Sequence, residues 1–177
     1  TVDETWPGDI VGIFDSGNLK IGDTPTEGEK LLYTGIPSFS PEIFKEVVNL
    51  DAMKTKQLDK GLSQLMEEGV AQLFTYELGK RKVVGVVGAL QFEVIQFRLK
   101  NEYGATAQFV PQNIFKACWI SSKDPRKLTE FIESKHRHIA RDKDDKLVFM
   151  AESKAWLQMV QDNFPDIHFH FTSEFKD

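Results

Sequence analysis

The chain has 177 residues, of which 41% are hydrophobic and 28% are charged, and its formal net charge at pH 7 is −5. This composition excludes a disordered or fibrous protein, and no apolar run approaches the roughly 20 residues that a membrane span needs. The acidic balance is untypical of a dedicated nucleic-acid binder, so any contact with nucleic acid must come from local basic patches. The length allows one medium domain, or one domain plus a piece of another.

The first residues and the cysteine content indicate an intracellular chain. Thr1 to Glu4 are polar and acidic, unlike a signal peptide, and the missing initiator methionine suggests a fragment of a longer protein. The single cysteine, Cys118, cannot form an internal disulfide, which suits a reducing cytoplasm. We therefore expect a cytoplasmic location. We interpret Cys118 as a small buried strand residue, because no nucleophile motif surrounds it.

Residues 1–35 carry a pattern of strands and turns. A turn at Trp6–Asp9 precedes two strand-like runs, Ile10–Phe14 and Leu19–Ile21, joined by a hairpin connection. Two strands cannot bury a core alone, so this hairpin must lean on something else. The prolines that follow break the pattern, and we place the domain boundary there, with a second domain over residues 36–177.

The first half of the second domain, residues 36–113, alternates in element type. Strands are predicted at 43–51, 70–77, 82–87 and 105–110, and helices at 52–68 and from about 90 to 103. The later helix has one apolar stripe at Phe92, Ile95, Leu99 and Tyr103, and Gly104 is expected to end it in a left-handed cap. The order is a split βαββαβ unit, in which two crossover helices cover one face of a four-stranded sheet.

The second half, residues 114–177, predicts the order βαβαβ. The pattern predicts strands at 114–120, 147–151 and 167–171, and a charged turn at 141–146. One helix is expected to start at Asp124 and Pro125, and a second is expected to be capped by Ser153 and ended by Pro165. No internal sequence repeat is visible. The whole order favours the α+β class, with helices packed on a mixed or mostly antiparallel sheet.

Several kinds of chemical site are not expected in this chain. The Gly79-Lys80 pair is followed by Arg81 and lacks the upstream glycine of a phosphate loop, so the chain should not bind or hydrolyse a nucleotide by itself. His168 and His170 would leave a strand on the same side, but no third metal ligand is evident. The carboxylates are scattered, and no acid/base pair stands out. We therefore predict no catalytic, cofactor or metal residues.

Three basic clusters are the candidate functional residues. The hairpin cluster, at a hairpin tip, consists of Lys80, Arg81 and Lys82. The helix-start cluster, which flanks the start of a predicted helix, consists of Lys123, Arg126 and Lys127. The helix-end cluster, at the end of that helix, consists of Arg137 and Arg141. One interpretation is phosphate contact with a structured RNA, or contact with an acidic protein. The alternative is that they provide only solubility and helix-end charge.

Longer segments of the chain resemble a known family. The first is Pro7-Gly8-Asp9-Ile10-Val11-Gly12-Ile13 with Lys20–Thr24, which is similar to the closing strands of the β-barrel second domain of translational GTPases. The others are Tyr33–Glu42, Lys56–Leu65 with Glu67-Glu68-Gly69, Val87–Val94, Arg98–Tyr103, and Phe164–Ile167 with Phe169. Together these segments resemble the C-terminal part of peptide chain release factor 3, the bacterial class II release factor family, over essentially the whole chain.

The resemblance implies that the chain belongs to a protein of translation termination, and so of protein biosynthesis. It implies that residues 1–35 are the end of a β-barrel domain and that residues 36–177 are a C-terminal domain similar, in its first half, to the third domain of elongation factor G. The full protein would be a GTPase that binds the ribosome after peptide release and drives off the class I release factor. GTP or GDP and Mg would bind in its N-terminal G domain, which is absent here.

The implied partners are the ribosome, through a small-subunit protein and ribosomal RNA, and the protein's own G domain and barrel; no membrane is implied. Two other functions are compatible with a split βαββαβ unit: a ferredoxin-like regulatory or small-molecule-binding domain, and an independent enzyme. The barrel-type segment at Pro7–Asp9 favours the release factor, because a free-standing regulatory domain has no use for it. An enzyme would need a pocket with convergent, perturbed groups.

Overall fold

The structure is a computed structural model, and it describes residues 4–14, 19, 23–29, 31 and 40–173. The chain divides into two compact units, residues 1–36 and residues 37–177. In the first unit the predicted turn is present: the Asp9 amide donates to the Trp6 carbonyl at 3.0 Å, and the Trp6 amide donates to Asp9 Oδ2 at 2.8 Å.

The predicted barrel hairpin is not confirmed. Residues 10–14 are exposed and belong to no strand in the described part of the chain, and Lys20 and Ile21 lie outside the described residues. A β-branched run becomes a strand only when a neighbouring strand pairs with its backbone. The assignment of residues 1–35 to a β-barrel domain therefore stays a prediction.

The second unit contains eight strands and four α-helices among its described residues. The strands are β1 Ile43–Asn49, β2 Gln72–Tyr76, β3 Lys82–Val86, β4 Ala107–Pro111, β5 Lys116–Ser121, β6 Ile139–Arg141, β7 Leu147–Ala151 and β8 His168–His170. The helices are α1 Thr55–Glu67, α2 Leu90–Tyr103, α3 Pro125–Ser134 and α4 Lys154–Asn163, with 3-10 turns at Ala52–Lys54 and His136–His138. These elements confirm the predicted α+β class.

Local capping signals determine where the helices begin and end. The Asp124 side chain accepts a hydrogen bond from the Arg126 amide at 2.9 Å, and the Ser153 hydroxyl accepts one from the Trp156 amide at 3.2 Å. Gly104 ends α2 with φ at +63°, in the left-handed region that favours glycine. All three caps confirm the predictions made from the sequence.

The eight strands form one antiparallel sheet in the order β4-β1-β3-β2-β6-β7-β5-β8. Read from its outer edge, the first half has its strands in the order β4-β1-β3-β2, and the second half, read from the other edge, has the corresponding order β8-β5-β7-β6. Each half is therefore a split βαββαβ unit. The halves join where β2 pairs with β6, with Thr75 opposite Arg141 and Tyr76 opposite Ala140.

The order βαβαβ predicted for residues 114–177 was wrong, because it lacks β6. That strand has three residues, too few to show an alternating pattern, and Arg141 ends it instead of starting a turn.

Three hydrophobic cores hold the second unit together. The first, which includes Leu62 and Ile95, lies between the first half-sheet and helices α1 and α2. The second includes Cys118 and Phe131 and lies between the second half-sheet and helices α3 and α4. Cys118 is fully buried, as predicted, and burial raises the pKa of its thiol to about 12. The third core, which we call the central core, contains residues of strands only.

The central core shows that the sheet folds back on itself. Phe74 of β2 and Trp119 of β5 are separated by two strands, which is about 14 Å in a flat sheet. Their ring centroids are nevertheless 6.1 Å apart, and Phe44 of β1 lies 6.1 Å from Phe74. The helix-free sides of the two half-sheets therefore pack against each other, with one helix pair outside each.

The backbone enters and leaves the second unit at neighbouring points. The hydroxyl of Ser40 donates a hydrogen bond to the carbonyl of Phe171, and the Glu42 amide donates to the Val86 carbonyl at 2.9 Å. Among the described residues, none of the helices combines the length and the apolar character needed to cross a membrane.

Candidate functional site

The hairpin cluster lies on the turn between β2 and β3, but its three cations do not form one patch. Lys80 has φ at +51°, which is unusual for a lysine, and its ammonium lies 3.1 Å from Glu77 Oε2. Arg81 directly precedes β3 and Lys82 is its first residue, and the two side chains contact different elements. Arg81 lies 3.0 Å from Glu46 and stacks over the Tyr76 ring, whereas Lys82 bonds to a carboxylate of α1, that of Asp59.

These contacts divide the hairpin cluster into structural and accessible members. Arg81 and Lys82 are each paired with a carboxylate from another element, so their charge is used within the fold. Lys80 is also paired, but with a residue of its own turn, and its side chain remains 73% exposed. Pairs at such exposure contribute little, so the Lys80 ammonium is available to an external anion.

The helix-start cluster surrounds the first turn of α3. Asp124, the cap residue, lies 3.3 Å from the guanidinium of Arg126, and hydrogen bonds from Arg126 lower the pKa of this carboxyl. The Arg126 side chain is nevertheless 88% exposed. Lys127 lies 3.0 Å from Glu130, which raises the pKa of the lysine. Lys123 is exposed and has no ion pair within the described part of the chain. Lys123 and Arg126 are therefore the accessible cations here.

The helix-end cluster separates into one accessible and one structural residue. Arg137 is exposed in the 3-10 turn after α3 and has no ion pair with any described residue. Arg141 lies at the end of β6, where its guanidinium binds Glu77 of the first half and contacts Asp145 at 3.1 Å. The Glu77 carboxylate raises the pKa of Arg141, so this arginine helps to join the halves.

The structure brings members of two clusters together at one carboxylate. Glu77 accepts from both Lys80 and Arg141, and these two cations, Arg141 first, lower the pKa of the Glu77 carboxyl. The helix-start and helix-end clusters stay apart, because the ten residues of α3 place its ends about 15 Å from each other. The four accessible cations are Lys80, Lys123, Arg126 and Arg137. Contact of any of the eight predicted residues with a partner stays a prediction.

One of the two histidines considered for metal binding has another contact: His170 Nε2 lies 3.0 Å from the Ser121 hydroxyl. A further histidine, His138, has its Nε2 3.1 Å from a carboxylate oxygen of Glu152. Among the residues that the structure describes, no group of three or more His, Cys, Asp or Glu side chains is arranged to hold a metal ion.

Two surface features were missed by the sequence analysis. One is a groove of about 510 Å³, lined by Pro41 and Glu42 before β1, Phe115 and Lys116 at the start of β5, residues of α4, and Phe171. Its lining residues are far apart in the sequence, so no local pattern indicates it. The other is a row of exposed apolar residues on α2 at Leu90, Val94 and Phe97. Their spacing of i, i+4 and i+7 is visible in the sequence and could have indicated it.

Residues 33–161 match the family described as class II release factor RF3, C-terminal domain. The chain belongs to this family. The match runs from before β1 into α4, so it includes both βαββαβ halves except for the last strand. It confirms the resemblance inferred from the sequence segments, and it assigns the chain to the class II release factors of translation termination.

Proposed function

We propose that this chain is the ribosome-docking part of a termination GTPase that promotes the removal of class I release factors from the ribosome after peptide release. The match to the C-terminal domain of RF3 is the observation that carries this proposal. This match favours the proposed function over a ferredoxin-like regulatory or small-molecule-binding domain. GTP hydrolysis, with its nucleotide and Mg, is assigned to the parent's G domain, and the protein acts in the cytoplasm.

The proposed docking residues are the four accessible cations: Lys80, Lys123, Arg126 and Arg137. Ribosomal RNA presents phosphate groups, and exposed Lys and Arg side chains bind them by displacing condensed counterions. The remaining four residues of the basic clusters have carboxylate partners that hold elements of the fold together or lie on the same helix. The central core and the two outer cores make the unit a stiff body, which supports transmission of a reorientation from a switching domain.

The test is ribosome co-sedimentation of the full-length factor with a GTP analogue, at several salt concentrations. Replacing Lys80, Lys123, Arg126 and Arg137 by Gln is expected to weaken binding. Each lost phosphate contact should make the negative slope of log K against log salt concentration shallower by about 1. The matched control replaces four other exposed lysines that have no ion pair among the described residues: Lys54, Lys56, Lys60 and Lys154.

The control should retain most of the affinity and the salt slope, although it loses the same net charge. Equal weakening in both variants would show that only net charge matters and would remove the residue assignment. Unchanged binding in the first variant would contradict the proposed docking surface.

A further inference from the structure

Helix α2 has an apolar stripe on each of two opposite sides. Phe92, Ile95 and Leu99 are buried against the first half-sheet. Leu90, Val94 and Phe97 leave 72%, 49% and 68% of their surface exposed. At 100° per residue, the second stripe is centred about 170° from the first, so it faces away from the core. A solvent-facing side is normally polar, and an exposed apolar row marks a surface for interaction.

Two charged residues lie along one flank of the exposed stripe. Glu93 and Lys100 are exposed, and neither side chain has a hydrogen bond or ion pair with another residue that the structure describes. They are seven positions apart, about 10.5 Å along the helix axis, which is too far for them to pair within one helix. On the other flank Arg98 is already bonded, to Glu68 and to Glu102 at 2.7 Å. The free charges therefore lie on one side only.

We propose that α2 packs antiparallel against α2 of a second copy of this chain. In heptad notation Leu90 and Phe97 occupy d and Val94 occupies a, which places Glu93 and Lys100 at successive g positions. In an antiparallel pair each g position faces a g position of the other helix, so Glu93 meets Lys100 of the second copy. Twofold symmetry repeats this ion pair, and the surface is complementary to itself.

A parallel arrangement does not use these free charges. It brings g positions toward e positions, so Glu93 would meet Arg98 of the second copy, whose guanidinium already binds two carboxylates. The apolar row ends at Asn101, the next a position, where the side-chain amide donates to the Phe97 carbonyl at 2.8 Å. The amide group is thus satisfied at the rim of the proposed contact.

The proposed interface is small. It contains three apolar side chains per copy, compared with the roughly 800 Å² per partner that a stable interface buries. A weak dimer follows, with a dissociation constant in the range of about 10 µM to 1 mM. At low concentration the chain is monomeric, and the second copy occupies α2 only when the protein is concentrated.

Sedimentation velocity of the 177-residue chain over a concentration series tests the proposal. Phe97→Ser should abolish self-association, whereas Met159→Ser, at an exposed position on α4, should leave it unchanged. Glu93→Lys alone and Lys100→Glu alone should each weaken the dimer about tenfold, because attraction becomes repulsion at both symmetric pairs. The double variant E93K/K100E restores both pairs and should restore the dimer. Far-UV circular dichroism confirms that each variant is folded.

Three results would overturn the proposal. The first is a chain that stays monomeric at the highest concentration. The second is a double charge exchange that fails to recover the association lost in the single variants. The third is a Phe97→Ser chain that still dimerises. If the wild-type chain stays monomeric and Phe97→Ser weakens ribosome binding of the full-length factor instead, the stripe binds the ribosome and the second copy is excluded.

Discussion

Gly61 of α1 lies in the contact between helices α1 and α2. A β-carbon at this position would come within 2.7 Å of Leu99 Cδ2 and 2.8 Å of Tyr103 Cγ, distances that real contacts do not reach. The backbone conformation there is ordinary helix, so the reason for glycine is the close approach of the neighbouring helix. Glycine is otherwise unfavourable inside a helix, by about 1 kcal/mol relative to alanine.

Gly61→Ala is expected to lower the free energy of unfolding by about 1 kcal/mol. The added methyl group overpacks the interface at a cost of about 1–3 kcal/mol, and the better helix propensity of alanine offsets about 1 kcal/mol of it. Urea denaturation measures the change as a lower midpoint at an unchanged slope. Gly88→Ala is the control, since its nearest neighbouring atom, Gln91 Oε1, would be 3.9 Å away. A Gly61→Ala chain as stable as the wild type would contradict the packing argument.

Strands β2 and β6 join the halves through only two paired positions, so side chains must support this junction. Glu77 follows β2 and accepts hydrogen bonds from Arg141 and Lys80, which lower the pKa of its carboxyl. A carboxyl whose pKa is lowered on folding stabilises the protein above its unfolded pKa, and this contribution is lost as the pH falls through the folded value. The junction should therefore be sensitive to acid.

Glu77→Gln is expected to lower stability at pH 7 by up to about 1 kcal/mol, as for a partly exposed pair. The difference from wild type should shrink as the pH falls below the ordinary value of 4.5 and through the lower folded pKa. Urea denaturation at a series of pH values from 7 to 3 measures it. Glu67→Gln, at an exposed position of α1 without an ion pair among the described residues, should show no such trend. A difference for Glu77→Gln that stays constant with pH would exclude the ion pairs as its cause.

Local signals and non-local contacts differ in how far the sequence predicts them. The caps at Gly104, Asp124 and Ser153 involve neighbours within a few residues, and all three were predicted. Strand β6 pairs with β7 at all three of its residues and with the distant β2 at two of them. Three residues are too few to show an alternating pattern, so the strand could not be predicted from its own sequence. Among the basic clusters, Arg81, Lys82 and Arg141 bond to carboxylates of distant segments, which the sequence could not predict. Lys80, Arg126 and Lys127 instead pair with carboxylates two or three residues away.

The two halves of the second unit have the same topology, and both contribute residues to the central core. The sequence shows no repeat, because the duplicated order is fixed by strand pairing and not by identical residues. Phe44, Phe74 and Val83 of the first half are buried in the central core together with Trp119 and other strand residues of the second half. Neither half would bury these side chains alone. The family resemblance predicted the domain type, but it did not reveal this dependence.

The second unit is therefore expected to unfold in a single transition, and Phe74→Ala should keep it single while lowering its stability by about 3–5 kcal/mol. Urea denaturation is followed by far-UV circular dichroism, which reports both halves, and by tryptophan fluorescence in a Trp6→Phe background, which reports Trp119 and Trp156 of the second half. Both midpoints should shift together. Phe97→Ala, at an exposed position, is the control and should change little. Fluorescence that keeps its wild-type midpoint while circular dichroism shifts would show that the halves fold independently.

The hydrogen bond from Ser40 to the Phe171 carbonyl has a consequence for engineering this unit. The first and last described segments of the second unit are neighbours, so a short peptide loop would connect them without crossing either helix layer. New termini would then be opened at the exposed turn of residues 143–146, giving a circular permutant with every strand pair intact. The order in which the strands are synthesised is thus separable from the order in which they pair.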